Sequence, residues 1–402
     1  MRRIKISKYD NEKFNNEAIK LLGMAFLFTA GTYSIKVILS PIGLSTLGSL
    51  FFYIIWAYCL MRVLLNNYGL LGKFIKVYVA ALLTIFVSYY FFPYTQIYFI
   101  EYKTFLRQSA LVFLPCAIIT SQIHNFNNIF LILRKYAYVG FILMMIAYFM
   151  GYMNYWGYQL WGVQLTPFVV IFYANWIKDK SLHSFIIFVL SSLFVLMGGR
   201  QSLVILAICI IVLKSHYYFN KDKGKAILTI IIMGIGCIVL ALLWDYILYA
   251  LDYLLKIMNI SSRTLSALIN KRLFDTSNRK FIYDLSMEII KKNGIKISGI
   301  FASLYHLRQF STRIAYPHNI ILEVLIDFGV LLGSILLCLL VFLIIRRILM
   351  GKYSKREFIL ALVILVICRL MVSSSYMIEG NFLILLGLLL NSKDEIHTNK
   401  RI

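Results

Sequence analysis

Residues 316–333 read YPHNIILEVLIDFGVLLG, and the apolar run that opens there continues to about Ile345. That length and hydropathy predict a membrane-spanning helix. Its outermost turns, however, are crowded with a proline, a histidine, an asparagine and a glutamate. Pro317 suits the first turn of a helix, where its missing N–H is no loss. His318 and Asn319 then fall at the N-terminus, where free backbone N–H groups and the helix dipole favour anions. Asn319, Glu323 and Asp327 follow one another at intervals of four and so share a face. Gly329 and Gly333 form a small-xxx-small pair that would let another helix approach closely. The plain reading is a helix start that happens to carry polar residues. The cost of ionisable groups at membrane depth favours a functional one.

The rest of the chain has the composition this helix needs. Of 402 residues, 61% are hydrophobic and only 14% charged, with a mean hydropathy of +0.80. Apolar runs near 20 residues recur, whereas barrel strands would be shorter and alternating, so the fold class is an all-α integral membrane protein. The net charge of +24 is explained by cytoplasmic loops and anionic headgroups, and no nucleic-acid partner is called for. Six cysteines (Cys59, Cys116, Cys209, Cys237, Cys338, Cys368) lie in apolar runs without a CxxC or His/Cys cluster. They indicate neither a disulfide framework nor a metal site. The first apolar run follows a basic segment of about 17 residues and reads as an uncleaved span rather than a signal peptide.

About 12 transmembrane helices are predicted, near 18–40, 43–63, 74–92, 105–122, 136–151, 162–177, 184–199, 201–213, 226–243, 319–345, 358–373 and 377–391. Among the terminal segment and shorter loops, those richest in Lys and Arg, from Arg2 and Arg3 to Lys355 and Arg356, fall on one face, which places both termini in the cytoplasm of an inner-membrane protein. Four regions follow: spans 1–9 (1–243), one large external loop between spans 9 and 10 (244–316), spans 10–12 (317–391) and a cytoplasmic tail (392–402). The loop carries eleven Lys/Arg against five Asp/Glu, which long loops tolerate on either side. Within it, Leu251–Ile260 reads as an interfacial helix. Asp275 or Ser277 is placed to cap a helix from Asn278 to Asn293, with Gly294 as its stop. Arg279 and Tyr283 share a face of that helix, while Phe281, Leu285 and Ile289 form an apolar stripe for the membrane domain, so the loop reads as a mobile lid or a static cap.

The external face collects the unusual residues. Arg200 follows two glycines in GGRQS, which permit a tight turn and close backbone approach to a ligand. Arg107 and Arg369 sit near the external ends of spans four and eleven, and Arg279, His318 and His306 add to them. Each alone reads as a snorkelling anchor. Jointly they predict a site for a lipid-linked anion, with pyrophosphate the best match, because guanidinium forks fit phosphate oxygens. The aromatic loop Tyr152–Trp161 reads as an interfacial belt or a sugar platform. No Walker loop, HExxH, GxSxG or Asp-x-Asp pair is present, so a transferase here would be metal-independent, without cofactors, and would neutralise its leaving group with arginine.

The helix-start pattern P-H-N-x-x-L-E-x-x-x-x-x-G-x-x-x-G, carried by Pro317, His318, Asn319, Leu322, Glu323, Gly329 and Gly333, resembles the bacterial O-antigen polymerase/O-antigen ligase superfamily, where it likewise closes a large external loop. GGRQS resembles the family's small-residue–arginine turn, with Gly198 where serine is usual. Asn278-Arg279, Tyr283, Gly294 and Gly299 resemble the family's loop arginine and downstream glycines. The resemblance covers roughly Ser184–Gly387. It implies a C-type glycosyltransferase-like enzyme acting on undecaprenyl-pyrophosphate-linked oligosaccharide, with Arg200, Arg279 and His318 functional. A chain-length regulator and a flippase would be its partners beside membrane lipid.

The expected activity is that of a surface-polysaccharide polymerase for O-antigen or capsule, extending glycan onto the next lipid-linked repeat unit. A ligase transferring glycan to lipid A-core is the alternative. A transporter or flippase fits the span count but not the one-sided clustering of polar groups. His318 is expected at the reaction centre, its pKa lowered by the helix N-terminus. Glu323 is the competing base, otherwise orienting Asn319 or a loop residue, and Asn319 and Tyr283 support.

Overall fold

The computed structural model describes residues 8–65, 67–219, 244–257, 277–311 and 316–391, with isolated positions 224, 227, 228, 231 and 269. All regular structure among the described residues is helical. Seven of these helices are long and apolar enough to cross a membrane: Glu12–Ile42, Ser45–Leu65, Leu70–Phe91, Ile129–Phe149, Tyr152–Asp179, Arg200–Phe219 and Ile320–Met350. Leu182–Val195 and Gly380–Leu389 are shorter apolar helices. The ninth expected span, Asp275 and the end of the expected 251–260 helix lie outside the described residues, although Trp244–Ile257 is helical.

The chain divides into two compact units, one of Met1–Leu22, Tyr58–Phe126 and Thr276–Ile402, the other of Gly23–Ala57 and Asn127–Asp275. In the second unit, α1 (Ile129–Phe149), α2 (Tyr152–Asp179), α3 (Leu182–Val195) and α4 (Arg200–Phe219) pack through small residues and satisfied polar groups. A side chain at Gly140 would meet the Phe168 ring, and one at Gly198 would come within 2.5 Å of the Gly162 Cα. Asn175 donates to the Phe130 and Ile171 carbonyls at 2.9 and 2.8 Å. Residues Tyr152–Trp161, expected as a loop, instead begin α2, with one non-helical residue at Gly157 (φ 77, ψ 162). Tyr152 and Trp161 are fully buried, donating to Gln164 at 2.6 Å and to the Phe194 carbonyl at 3.0 Å. Their aromatic bodies fill a core while their polar tips find partners. That accounts for neither a belt nor a sugar platform at those two positions.

The first unit holds the motif that opens the sequence. Its helices are α5 (Tyr68–Phe91), α6 (Lys103–Gln108), α7 (Leu114–Thr120), α8 (Ser277–Asn293), α9 (Ala302–Arg308), α10 (Ile320–Met350), α11 (Tyr353–Leu370) and α12 (Gly380–Leu389). Between α6 and α7 a π-helical turn, Ser109–Phe113, precedes Pro115, whose ring and missing N–H disturb the regular ladder. The α12 helix lies close on this segment: a side chain at Gly380 would strike the Phe113 ring, and one at Gly387 the Ala117 carbonyl. Buried Asn391 ties the chain end down by donating to the Ile123 carbonyl at 2.7 Å and the Thr120 carbonyl at 3.3 Å.

The α10 helix breaks at Gly329 (φ 72, ψ 166), a conformation essentially confined to glycine. The backbone groups this releases are taken up by the segment after α8. Val330 N–H donates to the Gly294 carbonyl at 2.8 Å, and the Asp327 carbonyl accepts from Ser298 and Gly299 N–H, both at 2.9 Å. Gly329 therefore admits a loop rather than another helix, since a Cβ there would lie 2.6 Å from the Ile295 carbonyl oxygen. Gly333 sits against Val324 and Leu325 of its own bent helix. The expected helix–helix seam is corrected accordingly. Beyond the bend α10 exposes Leu331, Ile335, Leu339 and Phe342, as a lipid-facing helix does.

Replacing Gly329 by Ala is expected to cost about 1–3 kcal/mol from backbone strain alone. It should lower the thermal unfolding midpoint of the detergent-solubilised protein. Gly72→Ala, where an added Cβ meets nothing within 4 Å, should leave that midpoint unchanged or raise it. Equal midpoints for the two variants would show that the bend is not tied to the loop.

Candidate functional site

The α8 helix ends at Gly294, whose φ of 57 supplies the left-handed stop that the sequence predicts. Its inward stripe is Ile282, Leu285, Ile289 and Ile290, which meet Leu307 of α9 and Ile326 of α10. Phe281, expected in that stripe, is 56% exposed. Ile282 lies three before Leu285 and seven before Ile289, on the centre of the stripe, whereas Phe281 falls at its edge. The opposite edge of the helix presents Arg279 and Tyr283, both half-buried.

The α10 helix starts three residues later than a proline in its first position would place it. Asn319 is its N-cap, with extended backbone (φ −158, ψ 117) and a side-chain oxygen that accepts from Ile321 N–H at 2.9 Å. Pro317 thus lies two residues before the cap, not in the first turn. The Asn319 side chain is committed to the helix end. His318, between them, takes a left-handed backbone (φ 57), a conformation more tolerated by His than by most residues.

This turn delivers the imidazole into a crowded corner. The Tyr316 ring meets it edge-on with centroids 4.5 Å apart. Tyr316 is anchored through its hydroxyl to the Ser373 carbonyl at 2.6 Å, and Tyr283 reaches the His318 carbonyl at 3.5 Å. The ring hydrogen-bonds the backbone of Val372. Its Nδ1 is buried and, among the described residues, has no hydrogen-bond partner. Burial and then the nearby positive charge of Arg279 push the His318 pKa down to about 4. The helix dipole, expected as the cause, is not needed. The imidazole is neutral at pH 7, with one nitrogen held by backbone and the other open.

Below this corner two carboxylates on one face of α10 are buried, Glu323 at 3% exposure and Asp327 at 0%. Glu323 accepts from the Ser375 hydroxyl and, weakly, from Tyr376 N–H at 3.4 Å. Its partner is therefore the connection between α11 and α12, not Asn319. Asp327 accepts from Ser303 N–H at 2.7 Å and the Tyr376 hydroxyl at 2.7 Å. Arg369, at the end of α11, pairs with buried Glu379 in the same connection. Arg107 is exposed on α6, and Arg200 is half-buried at the start of α4 in the other unit. In GGRQS the close approach at Gly198 is to the α2 backbone at Gly162. His306 is directed to Asn293 at 3.4 Å and to the Tyr305 ring, and burial and two lysines lower its pKa, so it adds no cation.

One corner of the first unit thus joins His318, Arg279, Tyr283, Tyr316, Glu323 and Arg369. Ser375, Tyr376 and Glu379 belong with them and were not singled out from the sequence. The polar run Ser373–Ser375 and Glu379, set between two apolar helices, was the available signal. No three His, Cys, Asp or Glu side chains gather as a metal site among the described residues. Chemically the corner offers an arginine for an anion, a neutral imidazole with an open nitrogen, and a buried carboxylate fixed by a serine.

Comparison with known families matches residues 185–338 to the family described as O-antigen ligase. That stretch runs from α3 through the bend of α10 and includes Arg200, Arg279, His318 and Glu323. No curated protein and no solved structure matches the chain.

The lowered His318 pKa has a consequence for stability. Between the unfolded value near 6.5 and the folded value of about 4, the unfolded chain binds a proton that the folded one refuses. Stability is therefore lost as pH falls through that window and is unaffected by this group above it. His318→Gln should flatten the fall in thermal midpoint between pH 6.5 and 4. An identical fall in the variant would place the imidazole in solvent rather than in the corner.

Proposed function

We propose that the chain, whose residues 185–338 match the family described as O-antigen ligase, is a membrane glycosyl-transferring enzyme of surface-polysaccharide synthesis, acting as the polymerase. It moves the growing glycan from undecaprenyl pyrophosphate to the next lipid-linked repeat unit, at the outer face of the inner membrane. The observation that carries this reading is the neutral His318, its buried Nδ1 without a hydrogen-bond partner among the described residues, beside Arg279 at the mouth of a lipid-facing helix.

Arg279 binds the donor pyrophosphate, with Arg107 of the same unit at the rim. The guanidinium fork matches phosphate oxygens in a way an ammonium cannot. Arg369, engaged with Glu379, acts by holding the 371–379 connection. The polyprenyl tail suits an apolar groove of about 450 Å³ bordered by Ile320, Val324, Phe328 and Tyr376, which shares a wall with the polar corner. With a diphosphate bound, its negative charge offsets Arg279 and raises the basicity of the neighbouring imidazole. The acceptor hydroxyl oxygen then bonds to the anomeric carbon while the bond from that carbon to the pyrophosphate oxygen breaks. The hydroxyl proton passes to His318 Nδ1, and undecaprenyl pyrophosphate leaves with its charge met by arginine. Glu323, held by Ser375, is the competing base. A chain-length regulator and a flippase are the partners this reading implies.

Arg279→Ala should abolish chain extension at normal protein level, and Arg279→Lys should rescue poorly. His318→Ala should slow transfer by roughly 10²–10⁴-fold with undecaprenyl pyrophosphate binding little changed, and His318→Gln should be nearly as slow. An active Gln variant alongside a dead Glu323→Gln would reverse the two roles. Transfer by the reconstituted protein should persist in excess EDTA, and a need for Mg²⁺ would overturn the metal-independent scheme. Deletion in cells separates the activities: single-repeat surface glycan means polymerase, unattached lipid-linked polymer means ligase, and no external glycan means flippase.

A further inference from the structure

A narrow cavity runs to the buried Glu323. Its floor is Glu323, Ser375 and Ser303, all 5% exposed or less, and half-buried Tyr102 and Tyr316 stand at its open end. Its volume of about 10 Å³ is close to what one water-sized group needs for its centre. It is therefore too small for a sugar ring or a phosphate and large enough for one hydroxyl. The floor is chemically suited to a hydroxyl. A carboxylate oxygen has two lone pairs, and the Glu323 oxygens each accept one hydrogen bond from the protein, from Ser375 and from Tyr376. Each keeps room for a second.

The walls are held rigidly. Phe301, itself in a left-handed conformation (φ 70), stacks on Tyr102 with centroids 5.7 Å apart and planes 21° from parallel. Arg308 reaches the Tyr102 hydroxyl at 3.5 Å while forming a two-pronged pair with Glu101. Tyr316 is pinned to the Ser373 carbonyl and at the same time packs on His318. The cavity and the imidazole thus share Tyr316 as a common wall. Aromatic rings at the mouth of a hydroxyl-sized, carboxylate-floored notch are what a carbohydrate requires, because the C–H faces of a sugar pack on rings while its hydroxyls need fixed polar partners.

We propose that this notch is the acceptor subsite, taking one hydroxyl of the acceptor carbohydrate against Glu323 and Ser375 with the sugar ring on Tyr102 and Tyr316. The proposal rests on the glycosyl-transfer reading and adds to it the half of the site that the arginines do not explain. Tyr102, Ser303 and Ser375 become acceptor-positioning residues, and the donor anion remains with Arg279.

The test uses the full-length protein in lipid nanodiscs with two probes: undecaprenyl pyrophosphate for the donor end, and lipid-linked repeat units extracted from cells lacking this chain as acceptor. Ser303→Val fills the notch and keeps the backbone N–H that Asp327 uses, while losing the hydroxyl that also reaches Asp327. Tyr102→Ala removes a wall at a half-buried position, and Tyr102→Phe keeps the ring. Ser303→Val and Tyr102→Ala should raise the KM for the extracted repeat units at least tenfold, with maximal rate largely recovered at saturation. Tyr102→Phe should stay within about twofold of the parent. All three should bind undecaprenyl pyrophosphate as the parent does. An unchanged KM in both Ser303→Val and Tyr102→Ala would overturn the proposal and leave the notch as a water site. Weakened binding of undecaprenyl pyrophosphate in the same variants would overturn it too, assigning the notch to the donor. Absence of any transfer by the parent protein would instead remove the glycosyl-transfer reading on which the notch depends.

Discussion

The bend at Gly329 is the constraint from which the site follows. A membrane helix keeps its backbone satisfied by bonding to itself, and any interruption leaves donors and acceptors with nowhere to go in an apolar medium. Here the interruption is filled by protein. The Asp327 carbonyl and the Val330 N–H, released by the bend, take the backbone of residues 294–299. The Asp327 carboxylate, one turn inside, takes Ser303 and Tyr376. A single turn of helix thus fixes the segment after α8 and the connection between α11 and α12. Each buried group left unpaired there would cost about 1–3 kcal/mol, so the loop and the bend stabilise each other, and neither is stable in this form alone.

This explains how residues far apart in sequence come to share a corner. Arg279 is positioned by a helix whose buried stripe locks onto Leu307 and Ile326. Ser375 is positioned by Glu323, and Tyr316 by Ser373. His318 is held in a left-handed turn between a proline and a capping asparagine, and non-glycine residues in that region persist only where the surroundings determine them. Phe301, the other such residue among the described residues of this unit, lines the notch whose Tyr316 wall also packs on His318. Strain and function coincide at the mouth of α10.

Much of this architecture is legible in the sequence. The apolar runs locate most of the helices, although Tyr68–Phe91, Ile129–Phe149 and Tyr152–Asp179 begin six to ten residues before the expected spans; the stop at Gly294 is found from its glycine, and the polar crowding at 316–327 marks the candidate site. What the sequence hides depends on what lies opposite a residue. Gly329 in an apolar run looks like a packing glycine, because nothing local states that a loop will bond to its turn. Tyr152–Trp161 looks like an interface segment, because aromatic residues with polar tips serve equally in a belt and in a core. Phe281 stands four before Leu285 and Ile282 three before it, so both fit a helical stripe, and only the register against α9 and α10 decides between them. Glu323 and Asp327 were placed on one face from their spacing, but their partners, Ser375 and Tyr376, lie some 50 positions downstream and carry no signal that links them to α10.

The electrostatics of the corner favour a substrate that brings its own charge. His318 is half-buried beside Arg279 and stays neutral; with Arg369 paired to Glu379, the free site sets the Arg279 charge against a weakly basic imidazole. An arriving diphosphate would reverse both terms, satisfying the guanidinium and making protonation of the ring favourable. The base then becomes competent only when the leaving group is in place. An ordering of this kind matters at a membrane surface, where water competes with the sugar hydroxyl and a permanently active base would favour hydrolysis. The proposed acceptor notch, too small for a ring and walled by two tyrosines, would contribute the second half of that discrimination. It would fix one hydroxyl of a large carbohydrate through several contacts at once, where water could offer only the hydroxyl itself.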